Sequence, residues 1–352
     1  MWILLPICLI ALLIVWVLTL AANHYKDTLI PQHAASRWKE GGAIAQISCF
    51  FSVNTQVTPD SIEEFEHNLD TALEQASIVS ESENEDARLW ADAYSASGKI
   101  TVKSNISNIS TDCIGIGGDF FLFHPLPLLS GSYFSGNDVM RDYCVLDREA
   151  AWKLFGSNDV AGQIVYIADV AHVVTGVVEH EDSGWYKAAG LDGAMIYVSY
   201  DTLKKYGSNN GINHFEILMP NPVKGYAKDY VEKSIGISAE EMELVENSAR
   251  YDFLNQFKHI GKLSTRSMNG KAIIYPYWEN VARAMDDKLA YMLMIRLLFV
   301  AIIVMIVFVE LLRYWKHKKW TVKGMCKKAY DDITMHLSKA RQRKKYEKQK
   351  KQ

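Results

Sequence analysis

Residues 150–167 read AAWKLFGSNDVAGQIVYI, and the hydrophobic period changes halfway along. Ala151, Leu154 and Phe155 fall on one face of a short helix, whereas the closing residues alternate in the manner of a strand. Gly156 and Gly162 bracket the polar turn between them. Leu154 and Phe155 therefore seal a helix onto a sheet, Gly156 ends it, and Gly162 turns the chain into the next strand. These residues define a fold and supply no chemistry.

The same alternation of helix and strand extends outward on both sides. Upstream, residues 45–53 (AQISCFFSV) read as a strand. Thr58-Pro59-Asp60-Ser61 then opens a helix with Ile62, Phe65, Leu69 and Leu73 at helical spacing. Residues 87–105 read as a strand pair, with Leu89, Ala91 and Ala93 alternating and Gly98 marking the turn. Gly115 to Asp119, GIGGD, closes a strand and turns. It lacks the Lys-Ser/Thr of a phosphate loop and the third glycine of a dinucleotide fingerprint. Residues 143–156 pass from strand to helix, and residues 163–167 and 172–178 form two strands joined near Asp169. Downstream, residues 195–207, 214–236 and 242–257 each give a strand followed by a helix, the second helix having Tyr226, Tyr230 and Val231 on its apolar face. Repeated β-α-β elements on a mixed sheet make an α+β domain.

That domain lies between two apolar runs. The 352-residue chain is 49% hydrophobic, but residues 3–22 carry no charge, and residues 289–312 are interrupted only by Arg296 and Glu310. Each run is long enough to span a bilayer core as a helix. Thr19-Leu20-Ala21 resembles a signal-peptide cleavage site, yet no basic residue precedes the run and its apolar core is longer than an ordinary leader, so an uncleaved anchor is expected. The organisation expected is a transmembrane helix at 1–22, a linker at 23–44, an extracytoplasmic domain at 45–287, a second transmembrane helix at 289–312 and a basic tail at 313–352.

Charge gives the orientation. The tail holds 15 Lys and Arg against 3 Asp and Glu, which leaves 23 against 38 and a net charge of −15 for residues 1–312. A basic segment directly after a span stays inside. Two spans then place both termini in the cytoplasm and the acidic domain outside. Tyr314, Trp315 and Trp320 interleave with the tail's cations, a pattern suited to an anionic leaflet rather than to nucleic acid. The last residues, from Arg341, have a disordered composition. Arg296 and Glu310 sit near the ends of their span, where they can snorkel to headgroups or meet a partner helix.

Neither catalysis nor a bound cofactor is expected. HExxH, G-x-S-x-G and G-x-x-x-x-G-K-[ST] are all missing from the sequence. Cys49, Cys113 and Cys144 have no metal-type spacing and read as buried thiols, although a Cys113–Cys144 bridge is open. His172, His180 and His214, with Glu179, Glu181 and Asp182, are the richest ligand-type neighbourhood. The stretch 179–185 lacks the register of a calcium loop and reads as solvated, with no metal assigned.

Residues 128–138 (LLSGSYFSGND), followed by 145–167 and by VVTGVVE at 173–179, resemble the MacB-like periplasmic core domain family. Gly131, Phe134, Leu154, Phe155, Gly156, Gly162, Ile164 or Val165, Ile167, Val174, Gly176 and Val177 stand where that family's pattern expects them. The resemblance implies a two-lobed α+β domain on a bacterial ABC permease. It also implies a separate ATPase, because this sequence has no nucleotide site of its own. Members typically have four spans, against two here, so a second permease subunit is a further expected partner alongside membrane lipids. The alternative is an envelope sensor or binding module with no transport role.

Overall fold

In the computed structural model, residues 4–38, 43–78, 87–263, 271–317 and 322–349 are described; Glu40, Trp320 and the final three residues lie outside them. Leu20–Met294 form one compact unit, and Met1–Thr19 with Ile295–Gln352 form another.

Helix α1 (Leu4–Asp27) leads through a 3-10 turn at Ile30–His33 into α2 (Ala34–Trp38) and strand β1 (Ile44–Phe51). The stretch read as a linker is therefore largely helical. It is tied down by the Gln46 side chain, which accepts from the Ala34 amide and donates to the Pro31 carbonyl. Next comes α3 (Pro59–Gln75), whose start is a capping box: Thr58 Oγ1 accepts from the Ser61 amide, and Ser61 Oγ accepts from the Thr58 amide. Its Ile62, Phe65, Leu69 and Leu73 are buried.

Then follow β2 (Ala91–Lys103), β3 (Asn108–Gly118), α4 (Phe120–Phe123), β4 (Leu128–Gly131), β5 (Tyr143–Asp147) and α5 (Arg148–Phe155). After these come β6 (Ile164–Ile167), β7 (Val170–Val178), α6 (Gly184–Ala188), β8 (Met195–Ser199), α7 (Tyr200–Tyr206), β9 (Ser208–Asn209) and β10 (His214–Pro220). The domain ends with α8 (Tyr226–Ser234), β11 (Met242–Glu246) and α9 (Phe253–Ile260). Helix α10 (Tyr277–His317) begins well before the second apolar run and carries it, and α11 (Val322–Gln349) follows.

Gly98 is not a turn. It lies inside the 13-residue β2, opposite Cys113 of β3, and the hairpin closes instead at Ser104 and Ser107. A glycine is needed there because the Ser208 carbonyl and the Leu203 side chain occupy the space a β-carbon would take.

Among the described residues, all eleven strands join in one sheet, in the order β11-β1-β10-β2-β3-β8-β5-β7-β4. β6 pairs with both β2 and β7, so the path β2-β3-β8-β5-β7-β6 closes on itself. The two lobes implied by the resemblance thus share β2. One is the open antiparallel ribbon β11-β1-β10-β2, and the other is this closed ring, in which only β3/β8 and β5/β7 run parallel.

Side chains alternate across the sheet and give two cores. Ile47, Cys49, Ile217 and Leu146 face the larger one, with α3, α5, α7 and α8 packed on it. Ile114, Ile116, Val145 and Leu218 face the other, beneath α2, α4 and Trp278 of α10.

In the second unit, the apolar stretches of α1 and α10 are each long and apolar enough to cross a membrane. α11 stays helical through Gln349, beyond Arg341 where composition suggests disorder, because Lys, Arg, Gln and Glu are all good helix formers.

Candidate functional site

The residues singled out in the sequence pattern gather around β5, α5 and β7. Asp147 caps α5 by accepting from the Ala150 amide at 2.7 Å. Its other oxygen accepts from the Met195 amide at 2.9 Å and meets His180 Nδ1 at 2.6 Å. Leu154 is fully buried, Phe155 packs against the same core, and Gly156 ends the helix in the left-handed region at φ +71°. Gly131 and Gly176 face each other across β4 and β7, where a β-carbon on Gly176 would stand 2.5 Å from the Ser132 carbonyl oxygen. Phe134 is buried edge-on to Phe121. Gly162 turns into β6 at φ +86°.

The loop read as solvated, residues 179–185, is only partly so. Glu179 and Asp182 pair with Arg148 at 2.5 and 3.1 Å, while His180 is buried on Asp147. That contact raises the His180 pKa above its ordinary value, against the opposing effect of burial. His172 lies elsewhere, near Thr202 Oγ1. Cys49, Cys113 and Cys144 are free and buried. In the second unit, Glu310 binds Arg313 at 2.8 Å, and Arg296 Nε is buried without a hydrogen-bond partner among the described residues.

A second constellation was not legible in the sequence. It is a continuous buried polar network on the face of the sheet covered by α4 and the start of α10. Arg250, just after β11, donates to both oxygens of Glu279 at 2.8 and 2.9 Å and to Asp286 at 2.7 Å. Burial opposes the charge on Arg250, but the two carboxylates on α10 outweigh it and hold the guanidinium ionised. Arg250 also donates to Asn247 Oδ1, Asn247 Nδ2 to Ser48 Oγ at 2.7 Å, and Ser48 Oγ to Glu216 Oε1 at 2.6 Å.

Glu216 in turn meets His124 Nε2 at 2.7 Å and lies 3.5 Å from His214 Nε2. Burial raises the Glu216 pKa, but the two imidazoles outweigh it and hold the carboxyl well below the usual carboxylate range. Burial lowers His124, against the pull of Glu216. Phe50 stacks on His214 and Phe120 on His124, and the Trp278 ring lies 4.4 Å from that of His124.

Of these residues only His214 was among the sequence candidates. Pairing of β1 with β10 brings Ser48 to Glu216, and His124 and Asn247 reach them from the end of α4 and the turn after β11, over 92 to 199 residues of chain, which no local spacing encodes.

The Arg250 end of the network grips the root of α10. Trp278, Val281, Ala282, Met285 and Leu289 of that helix are buried, three of them with Ala22 and Leu29. Lys26 donates to the Tyr251 carbonyl, and Lys288 sits 3.4 Å over the Tyr25 ring. Beside this root lies a groove of about 640 Å³, whose lining includes Lys224, Lys228, Lys258 and Arg283.

A family model described as MacB-like periplasmic core domain matches residues 19–241. The Macrolide export ATP-binding/permease protein MacB of Chromobacterium violaceum is 29% identical over 131 residues, which make up 37% of this chain and 19% of that protein. The matched stretch therefore spans less than a fifth of that relative's length. Two solved structures are similar at 16% identity. The extracellular domain of the noncanonic ABC-type transporter YknZ from Gram-positive bacteria aligns over 57% of this chain and 99% of its own, with a TM-score of 0.38. The periplasmic region of MacB from Actinobacillus actinomycetemcomitans aligns over 60% and 95%, with a TM-score of 0.39.

Proposed function

Because the chain belongs to the MacB-like periplasmic core domain family, we propose that it serves as a permease-like or accessory subunit of a bacterial ABC export or mechanotransmission complex. A separate chain supplies ATP hydrolysis, and this one binds and couples rather than catalyses. Its domain faces outward and contacts a partner or substrate, while both termini lie in the cytoplasm. A further permease subunit, the surrounding lipids and an anionic leaflet at the basic tail complete the assembly.

The observation that carries this reading is the root of α10. One uninterrupted helix contributes Trp278 and Glu279 to the buried interior of the domain and, further along, the second apolar run. Arg250 grips it through Glu279 and Asp286, and breaking that grip would strand buried charge, at a cost of about 3–5 kcal/mol. The root of α10 is thereby built into the domain, and it is there that a displacement of the domain would enter the helix.

The groove beside this root, lined by Lys224, Lys228 and Lys258 and by Glu243 and Glu246, favours a second reading, an envelope sensor or binding module that takes a polar ligand. Purification of the full-length protein from its native membrane in mild detergent separates the two. Co-elution of an ATPase with a multi-span subunit supports the first; elution alone, or only with itself, removes its main support and favours the second.

A further inference from the structure

We propose that His124, His214 and Glu216 are the protein ligands of a divalent transition-metal ion of the zinc class. His214 and Glu216 stand two residues apart on β10 and so point to the same face of the sheet, while His124 is brought over them by the end of α4. One ligand atom from each lies within 4.8 Å of the others, and all three side chains are buried.

The separations suit a small ion. Ligands at about 2.0–2.2 Å from a tetrahedral centre stand roughly 3.3–3.6 Å from one another. His214 Nε2 stands 3.5 Å from Glu216 Oε1 and His124 Nε2 2.7 Å from Oε2, so an ion between the two rings meets the edge of the carboxylate once the His124 contact opens by about 1 Å.

His214 Nε2 is the independent sign of a ligand. It belongs to a side chain that is 1% exposed, and the carboxylate oxygen it faces stands 3.5 Å away, too far for a well-formed hydrogen bond. Buried polar atoms are rarely left so. Its other nitrogen, Nδ1, meets Ser95 Oγ at 3.2 Å. With Nδ1 donating to Ser95 Oγ, the Nε2 lone pair is left to coordinate an ion held between it and the carboxylate.

The outer contacts are those of a held ligand set. Ser48 Oγ fixes one Glu216 oxygen, Asn247 fixes Ser48, and the rings of Phe50, Phe120 and Trp278 wall the cluster. Two imidazoles and a carboxylate favour zinc, cobalt or nickel over magnesium or calcium. An ion there ties α4 to β10 directly beneath Trp278 at the root of α10.

The test uses untagged full-length protein in mild detergent, stripped with a chelator and titrated with zinc and with cobalt ions. Expected are one equivalent per chain, a higher unfolding temperature, and a cobalt absorption spectrum with nitrogen and oxygen ligands. Ser95→Ala, which leaves the three ligands in place, should weaken zinc binding about 10–100-fold. Glu216→Gln should abolish stoichiometric binding, and His180→Gln, at the other buried histidine–carboxylate contact, should leave it intact. Failure of the folded wild type to take up one equivalent overturns the site, as does a thiolate spectrum or unchanged affinity in Ser95→Ala. Should Glu216→Gln not fold, X-ray absorption of the zinc-loaded wild type decides: two imidazoles support the site, and none overturns it.

Discussion

Arg250 has its guanidinium buried against two carboxylates of a single helix, so its removal exposes an asymmetry of buried charge. Arg250→Met takes from the buried Glu279 the guanidinium that binds both its oxygens and should cost about 3–5 kcal/mol, read as a fall in thermal or denaturant stability. The triple variant Arg250→Met, Glu279→Gln, Asp286→Asn removes the charges together and should recover part of that loss. No recovery would place the cost in packing instead. His180 offers a pH test. Its contact with Asp147 raises its pKa above the unfolded value, about 6.5, so the stability it contributes is complete below that value. That stability is lost as pH rises through the higher folded value, and His180→Gln should flatten the stability profile in this window. What the sequence made legible at this scale were residues acting on near neighbours, such as Leu154 beneath its own helix and Thr58 on Ser61. Asp147 and Glu216 were missed because His180, Met195, Ser48 and His124 reach them from segments distant in sequence.

Helix ends and strand crossings separate two uses of glycine. At Gly156 a β-carbon would meet nothing within 4 Å, so Gly156→Ala should incur only the left-handed backbone penalty, about 1–2 kcal/mol. At Gly176 the Ser132 carbonyl oxygen already occupies that space, and Gly176→Ala should destabilise by more, with the excess measured in the same denaturant titration. Equal losses would mean that β4 yields freely to its neighbour. Most elements followed from periodicity and punctuation, including α3, α5, the β6–β7 turn and the strand-then-helix units after β8. Gly98 read wrongly because a glycine required by an approaching backbone is indistinguishable, in one dimension, from a glycine required by a turn.

Across the whole chain the cysteines report topology. Cys49, Cys113 and Cys144 are buried, and burial pushes the Cys144 thiol up to about 12, whereas Cys326 in α11 is exposed. On the inward-facing tail proposed here, a membrane-impermeant maleimide should leave Cys326 unlabelled in intact cells and label it after lysis. Labelling from outside would reverse the orientation. The closure of β2, β3, β8, β5, β7 and β6 into a ring, and the burial of the α10 root, were beyond pattern reading because both depend on which segments become neighbours.

The partnership of β1 with β10 and β11 sets a schedule for the nascent chain. Ile44 pairs with Pro220 and Ile47 with Glu246, so Phe50 and Phe51 emerge long before the strands that cover them exist. At synthesis rates of about 5–20 residues per second the interval is on the order of 10–40 s. Through that time an apolar strand stands unpaired close to its membrane anchor, and holding it in solution falls to whatever escorts the chain during export.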